Sequence, residues 1–209
     1  MSHRKQRRRT PTARTARPLR NPVGIRIIGG RFRGRKLSYH GDLAVRPMKD
    51  RVRQAVFDLL GPRVEGKHAV DLFAGTGALG LESLSRGASR ATFIEQHVPT
   101  ARLIQQNVRM LGLQHQAEVV MGDAFVRVLW EDRLGTAPWL VLCSPPYRYY
   151  VERVEQMVEL LRHLVEAAPQ QSVFVVESDE RFDPQLLPQP ALWDLRTYPP
   201  ARISLFDKS

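Results

Sequence analysis

The sequence predicts an α/β fold built on a mostly parallel sheet, with a basic segment ahead of it. From His68 onward, short apolar runs alternate with helical patterns, which is typical of strand–helix–strand crossovers. A glycine-rich loop follows the first of these runs. The charge is also divided: residues 1–53 contain 17 Lys and Arg against 2 acidic residues, whereas the remainder contains 15 against 19. Such a basic end on an acidic body indicates a polyanionic partner, and a solvated tail without a partner is the alternative.

The amino-terminal quarter divides into two parts. Residues 1–22 contain eight Lys and Arg and almost no large apolar side chains, so we predict a disordered basic tail. Residues 23–62 form a predicted basic hairpin and helix. Apolar and basic residues alternate over residues 25–39 around a Gly-Gly pair, which predicts a β-hairpin with one arginine-rich face. The pattern of residues 46–60, followed by Gly-Pro, predicts a helix.

Residues 63–209 contain the predicted α/β domain. Seven strands are expected, at residues 69–73, 91–94, 118–121, 139–143, 172–177, 193–198 and 202–206. Helices are expected at residues 78–86, 99–111, 124–130 and 149–166. The last two strands are joined by two prolines, which is too short for a helical crossover, so they should pair antiparallel. In such a sheet the ligand crevice lies beyond the carboxyl ends of the parallel strands.

Composition excludes several classes of protein. Hydrophobic residues make up 43% of the chain, and no apolar run approaches the roughly 18 to 20 residues of a membrane-spanning helix. The basic amino terminus lacks the apolar stretch of a secretory signal, and the single cysteine, Cys143, cannot form an internal disulfide. We therefore expect a cytoplasmic protein. The histidines lack a close metal-ligand spacing, so no metal site is expected.

The glycine-rich loop predicts a nucleotide-type cofactor. Gly75, Gly77 and Gly80 form a Gly-x-Gly-x-x-Gly motif between a strand and a helix. A phosphate-binding P-loop would need Lys and Ser or Thr after the third glycine, which this chain lacks. A dinucleotide site fits the glycines, but Asp71 would repel a pyrophosphate. S-adenosylmethionine (SAM) is cationic, so Asp71 favours it, and Glu95 can accept from both ribose hydroxyls. A glycine turn that only packs strand on helix is the remaining alternative.

A third strand ends at the same predicted pocket. Asp123 follows it and can accept from the adenine amine, while Ala124 and Phe125 wall the ring; as an isolated residue, Asp123 is more often a helix N-cap. The predicted cofactor-binding residues are Asp71, Phe73, Ala74, Gly75, Gly77, Glu95, Asp123 and Ala124.

The segment after the fourth strand indicates the chemistry. It reads Ser144, Pro145, Pro146, Tyr147, which are the predicted catalytic residues. The prolines remove two N–H donors, so the carbonyls of the segment are left as acceptors. Acceptors beside an aromatic ring suit a planar group with an amino nitrogen, which the site would activate by positioning and electrostatics. A Pro-Pro turn without function is the alternative.

These motifs resemble the RsmD-like 16S rRNA guanine-N2-methyltransferases. The resemblance rests on residues 25–37, 46–53, 71–82, 144–147 and 175–178. It implies a class I SAM-dependent methyltransferase (Rossmann-like) fold with a seven-stranded, mostly parallel sheet, and SAM as the cofactor. It also implies methylation of a guanine N2 in 16S rRNA, free or in an assembling small subunit. From the sequence we further expect a monomer that needs no metal and no membrane. The chain departs from the family at Ser144, usually Asp, at Tyr147, usually Phe, and at Met48, usually Thr.

The basic segments supply the predicted RNA contacts. The hairpin pattern predicts a cationic face, and the resemblance implies that residues 46–53 close over cofactor and RNA. The predicted RNA-binding residues are Arg31, Arg33, Arg35, Lys36, Arg46, Arg51 and Arg53. Two other functions stay open at this point. One is another amino-methyltransferase, acting on a DNA base or a protein glutamine; the other is a non-catalytic RNA-binding assembly factor with the same fold.

Overall fold

The structure is a computed structural model that describes residues 24–39 and 48–209. Its described residues form a seven-stranded sheet in the order β3-β2-β1-β4-β5-β7-β6. The strands are β1 (His68–Asp71), β2 (Arg90–Glu95), β3 (Ala117–Met121), β4 (Trp139–Cys143), β5 (Val173–Ser178), β6 (Asp194–Tyr198) and β7 (Ala201–Asp207). The first five strands are parallel, and β7 is antiparallel to both β5 and β6. This confirms the predicted mixed sheet with antiparallel pairing at its end.

Helices cover both faces of the sheet. They are α1 (Asp50–Leu60), α2 (Ala78–Ser85), α3 (Val98–Met110), α4 (Tyr149–Glu152) and α5 (Val154–Ala167). One apolar layer joins α1, α2 and α3 to the sheet, and the other joins α4 and α5 to the opposite face. The central strands are therefore enclosed on two sides, and every residue of β1, β4 and β5 is buried.

The segment before α1 differs from the predicted β-hairpin. Antiparallel pairing is limited to one bridge, between Arg26 and Lys36, and a 3-10 turn lies between its two sides. The N–H groups of Ile28 and Phe32 donate to side chains of α2, at 2.8 and 2.9 Å, rather than to an opposing strand. The two sides therefore pair over a shorter stretch than the alternating pattern predicted, and contacts with α2 hold the part between them. The predicted tail, residues 1–22, lies outside the described residues.

Two predicted helices are also corrected. Residues 124–130 form no α-helix: the chain makes short 3-10 turns around the buried indole of Trp130, which donates to the carbonyl of Ala124 at 3.1 Å. The helix predicted at residues 149–166 is interrupted at Arg153, where the backbone leaves the helical conformation. Among residues 24–39 and 48–209, no helix has the length and apolar character needed to cross a membrane.

Candidate active site

A cavity of about 770 Å³ lies beyond the carboxyl ends of the five parallel strands. Its wall contains all four predicted catalytic residues. It also contains six of the predicted cofactor-binding residues: Phe73, Ala74, Gly75, Glu95, Asp123 and Ala124. Asp71 and Gly77 are buried and are not part of this wall. The topology therefore brings residues from five separate strand ends to one crevice, as parallel sheets of this type do.

Asp71 organises the glycine loop from inside the protein. The residue is 1% exposed, and its Oδ2 accepts from the N–H of Gly80 at 3.0 Å. Its Oδ1 is buried without a hydrogen-bond partner among the residues that the structure describes. Burial raises the pKa of Asp71 from 3.8 to about 7, although the hydrogen bond from Gly80 opposes the shift. Asp71 therefore fixes the start of α2 and presents a partly neutralised acid beneath the loop.

Two glycines of the loop are required by close approach or conformation. A Cβ on Gly80 would lie 2.3 Å from Cε1 of the buried Phe93, so α2 packs on β2 through this glycine. Gly77 has φ +74°, in the left-handed region that favours glycine, and it directly precedes α2. These two positions explain the spacing of the motif by packing and backbone geometry.

The amides of the glycine motif are already occupied within the protein. Gly75 donates to Glu95 Oε2 at 2.8 Å, Gly77 donates to the carbonyl of Ala74 at 2.7 Å, and Gly80 donates to Asp71. A loop that binds pyrophosphate would present such N–H groups to the ligand. The loop is therefore suited to a cofactor without phosphate groups.

Glu95 connects the end of β2 to two loops. Its two oxygens accept from the N–H groups of Gly75 and His97, each at 2.8 Å. Burial raises the pKa of Glu95, and these backbone hydrogen bonds act against the shift. Each carboxylate oxygen has a second lone pair, so Glu95 can still accept from ligand hydroxyls in the cavity.

Asp123 is held by a backbone N–H and by Arg153, a partner that the sequence did not predict. Its Oδ1 accepts from the N–H of Phe125 at 3.0 Å, and its Oδ2 accepts from Arg153 at 3.3 Å. The guanidinium of Arg153 lies 3.8 Å from the centre of the Phe125 ring, which in turn packs edge-on against Phe73. Arg153 sits where the predicted helix is interrupted, and no sequence signal marked that break.

The predicted catalytic segment meets a further acid, Glu177. The hydroxyl of Ser144 donates to Glu177 Oε2, and the hydroxyl of Tyr147 donates to Oε1 at 2.8 Å. Tyr150 donates to the backbone carbonyl of Glu177 at 2.6 Å. Sequence reasoning gave Glu177 no role, although it lies within residues 175–178, one of the motifs that carried the family resemblance. An acid at the end of a buried strand was the available signal.

The predicted RNA-binding residues fall into three groups. Five are exposed: Arg31, Arg33, Arg35, Lys36 and Arg51. Arg53 is instead fully buried, donating to the carbonyl of Arg26 at 2.6 Å and to Asp50 at 2.9 Å, which is not a placement for contact with RNA. It lies on the face of α1 that packs on the core, which the charge count alone did not reveal. Arg46 lies outside the described residues.

Comparison with known sequences identifies a family. The model of a family described as conserved hypothetical protein 95 matches residues 25–199. Ribosomal RNA small subunit methyltransferase D of Escherichia coli K12 is 36% identical over 171 residues, which is 82% of each protein. The protein of the same name from Haemophilus influenzae is 32% identical over 137 residues, covering 66% of this chain and 70% of the relative.

Comparison with solved structures agrees on the fold. A hypothetical protein of Thermus thermophilus superimposes with a TM-score of 0.67 at 28% identity, over 87% of this chain and 98% of that one. A 16S rRNA N2 methyltransferase of the same species, in complex with AdoMet and guanosine, gives a TM-score of 0.67 at 18% identity, over 89% and 50%. The second likeness concerns the fold alone. The fold is that of the class I SAM-dependent methyltransferases, as predicted.

Proposed function

Because this chain belongs to the conserved hypothetical protein 95 family, we propose that it is a SAM-dependent rRNA methyltransferase that modifies the N2 amine of a guanine in 16S rRNA. Both relatives described above carry the name ribosomal RNA small subunit methyltransferase D. The main support for this reaction is that the glycine loop, which suits SAM, and the residues Ser144 and Tyr147 line the same cavity.

The residues of the loop side fit SAM. The motif amides are engaged within the protein, and the carboxylates of Glu95 and Asp123 line the cavity, so this side suits a cationic ligand rich in hydroxyl and amine donors. We assign Glu95 to the ribose hydroxyls and Asp123 to the adenine amine. When bound, SAM supplies a methyl group on a positively charged sulfur. Residues Phe73, Ala74 and Gly75 line the adjoining part of the cavity.

The residues after β4 would hold the target base. The carbonyl of Pro145 and the Oγ of Ser144 are acceptors for the two amine hydrogens, and the ring of Tyr147 offers a stacking surface. Such contacts orient the amine nitrogen without forming a covalent intermediate on the protein. The guanine must leave its stack to enter the cavity, which costs less in a loop than in a duplex.

The exposed cations of residues 24–39 supply the electrostatic part of RNA binding. Arg31, Arg33, Arg35 and Lys36 lie on one short segment, which is fastened to α2 through Glu82 and Ser85. Because α2 begins directly after the cofactor loop, phosphate contacts on this segment would be positioned relative to the cavity.

Mapping of methylated guanines tests the proposal. We expect 16S rRNA from cells lacking this protein to have lost N2-methylation at one guanine, and purified native protein with labelled SAM to restore it, whereas Ser144→Ala should restore it slowly. An unchanged guanine map in those cells would contradict the proposal. Label transferred to adenine, cytosine or a protein glutamine would instead support another amino-methyltransferase.

A further inference from the structure

A carboxylate lies directly behind the residues assigned to the target amine. In the parallel pairing of β4 with β5, Cys143 lies opposite Val176, so the next residues, Ser144 just beyond β4 and Glu177 within β5, lie side by side. Glu177 is only 7% exposed, yet it contributes to the wall of the cavity. Both of its oxygens accept from side chains of the catalytic segment, Ser144 and Tyr147.

The chemistry of these groups sets the direction of each hydrogen bond. An ionised carboxylate only accepts, and a hydroxyl has one proton to donate. The proton of Ser144 is therefore directed at Glu177, and the Oγ retains only lone pairs for any other group. A hydroxyl that donates to an anion is also a stronger acceptor, because the hydrogen bonds polarise one another.

We propose that Glu177 is a positioning residue that makes Ser144 Oγ an obligate, charge-assisted acceptor for the target amine. The inference rests on the proposed function and extends it. Ser144 is neutral, so a carboxylate one hydrogen bond behind it supplies the negative charge that favours an amine gaining positive character. The same carboxylate holds the Tyr147 hydroxyl and so fixes the ring that stacks on the base.

Other titratable groups surround Glu177 without replacing it. Tyr150 donates to its backbone carbonyl, and burial raises the pKa of Tyr150 well above its ordinary value. The buried thiol of Cys143 lies nearby, and its pKa is raised by burial. Arg181 also lines the cavity, but its guanidinium pairs with Asp179 at 2.7 Å. Of these groups, Glu177 is the carboxylate that contacts Ser144.

Single-turnover methylation tests the coupling between the two residues. We expect Glu177→Gln and Ser144→Ala each to slow the rate about 10- to 100-fold while SAM affinity, measured by calorimetry, changes less than about threefold. The double variant should be no slower than the slower single variant, because both changes remove the same charge-assisted acceptor. Glu180→Gln, which removes an exposed acid three residues further along, should keep the native rate. A native rate for Glu177→Gln, or losses that multiply in the double variant, would overturn the proposal.

Moving the charge provides a rescue experiment. Ser144→Asp combined with Glu177→Gln places the carboxylate directly at the amine and removes it from β5. We expect this pair to reach a rate within about threefold of the native protein. Glu177→Gln alone should stay slow. If Glu177 had only a structural role, adding Ser144→Asp would not restore the rate in a variant that folds as well as Glu177→Gln alone. A rescue pair as slow as Glu177→Gln would count against the charge argument.

A second readout needs no turnover. Ser144→Asp alone puts two carboxylates at hydrogen-bond distance, so one of them should have a raised pKa in the folded protein. When folding raises the pKa of a carboxyl, the folded state becomes less stable as pH rises, because the group ionises more easily in the unfolded chain. The urea midpoint of this variant should therefore fall relative to that of the native protein between pH 5 and 8. Adding Glu177→Gln should abolish that fall. If both variants show the same pH dependence, the contact is absent and the inference fails, whether or not the native protein methylates rRNA.

Discussion

We expect Asp71→Asn to gain stability relative to the native protein as pH rises. Burial raises the pKa of Asp71 from 3.8 to about 7, so the folded state holds a proton that the unfolded chain has already lost. A difference of one pKa unit between the two states is worth about 1.4 kcal/mol, so ionising this buried acid costs on the order of 4 kcal/mol of stability. That stability is fully present below pH 3.8 and is lost as pH rises towards 7. Between pH 5 and 8 the loss amounts to about 2 to 3 kcal/mol.

Urea unfolding at pH 5, 6, 7 and 8 measures this difference. Asn keeps an acceptor for the N–H of Gly80 but cannot ionise. Any effect of the substitution itself therefore changes the free energy of unfolding by the same amount at every pH. The free energy of unfolding of Asp71→Asn minus that of the native protein should therefore increase with pH. Asp58→Asn, on the exposed face of α1, controls for the change in net charge. A difference that is flat from pH 5 to 8 would refute the argument from burial.

Three further predictions follow from the site and its supports. Glu95→Ala should weaken SAM binding by about 1 to 3 kcal/mol in calorimetry, because the ribose hydroxyls assigned to this carboxylate lose their acceptor; binding of NAD without SAM would contradict the cofactor assignment. Gly80→Ala should lower the free energy of unfolding by about 1 to 3 kcal/mol in urea, because its Cβ meets Phe93, whereas Gly24→Ala meets no atom within 4 Å and should change little. Arg33→Ala should weaken RNA binding and reduce the slope of log affinity against log salt by about 0.7 to 0.9; an unchanged slope would place this side chain away from phosphate.

The sheet could be predicted closely because burial on two faces leaves continuous apolar runs. The fourth strand was predicted with the observed bounds, and the short Pro-Pro connection gave the antiparallel end. The amino-terminal segment could not be predicted in the same way. Two of its N–H groups, those of Ile28 and Phe32, bond to side chains more than fifty residues away, and a local pattern does not contain such partners.

A residue of the candidate site could be predicted where its position at the end of a single strand was enough to place it at the cavity. Glu95 and Ser144 fall into this class, because a residue that ends a parallel strand faces the crevice. The role of Glu177 depends on the register between β4 and β5, which the sequence did not specify. Arg53 shows the opposite limit, since a cation in a basic stretch can occupy the buried face of a helix. The helix predicted at residues 124–130 was wrong for a third reason. The apolar side chains of this segment do not share one face, and Val128 is 81% exposed.

The position of β7 has a consequence for the order in which the molecule is assembled. Among the strands of the sheet it is made last, yet it lies inside, between β5 and β6. While the ribosome is still producing residues before 200, the edge of β5 that later pairs with β7 is unpaired, and Pro200 and Ala201 are missing from the rim of the cavity. Pairing of β5 with β7 is antiparallel and must wait for this segment. The cavity is therefore completed late in synthesis, so the RNA contacts proposed for the exposed cations of residues 24–39 could form before the proposed reaction can take place.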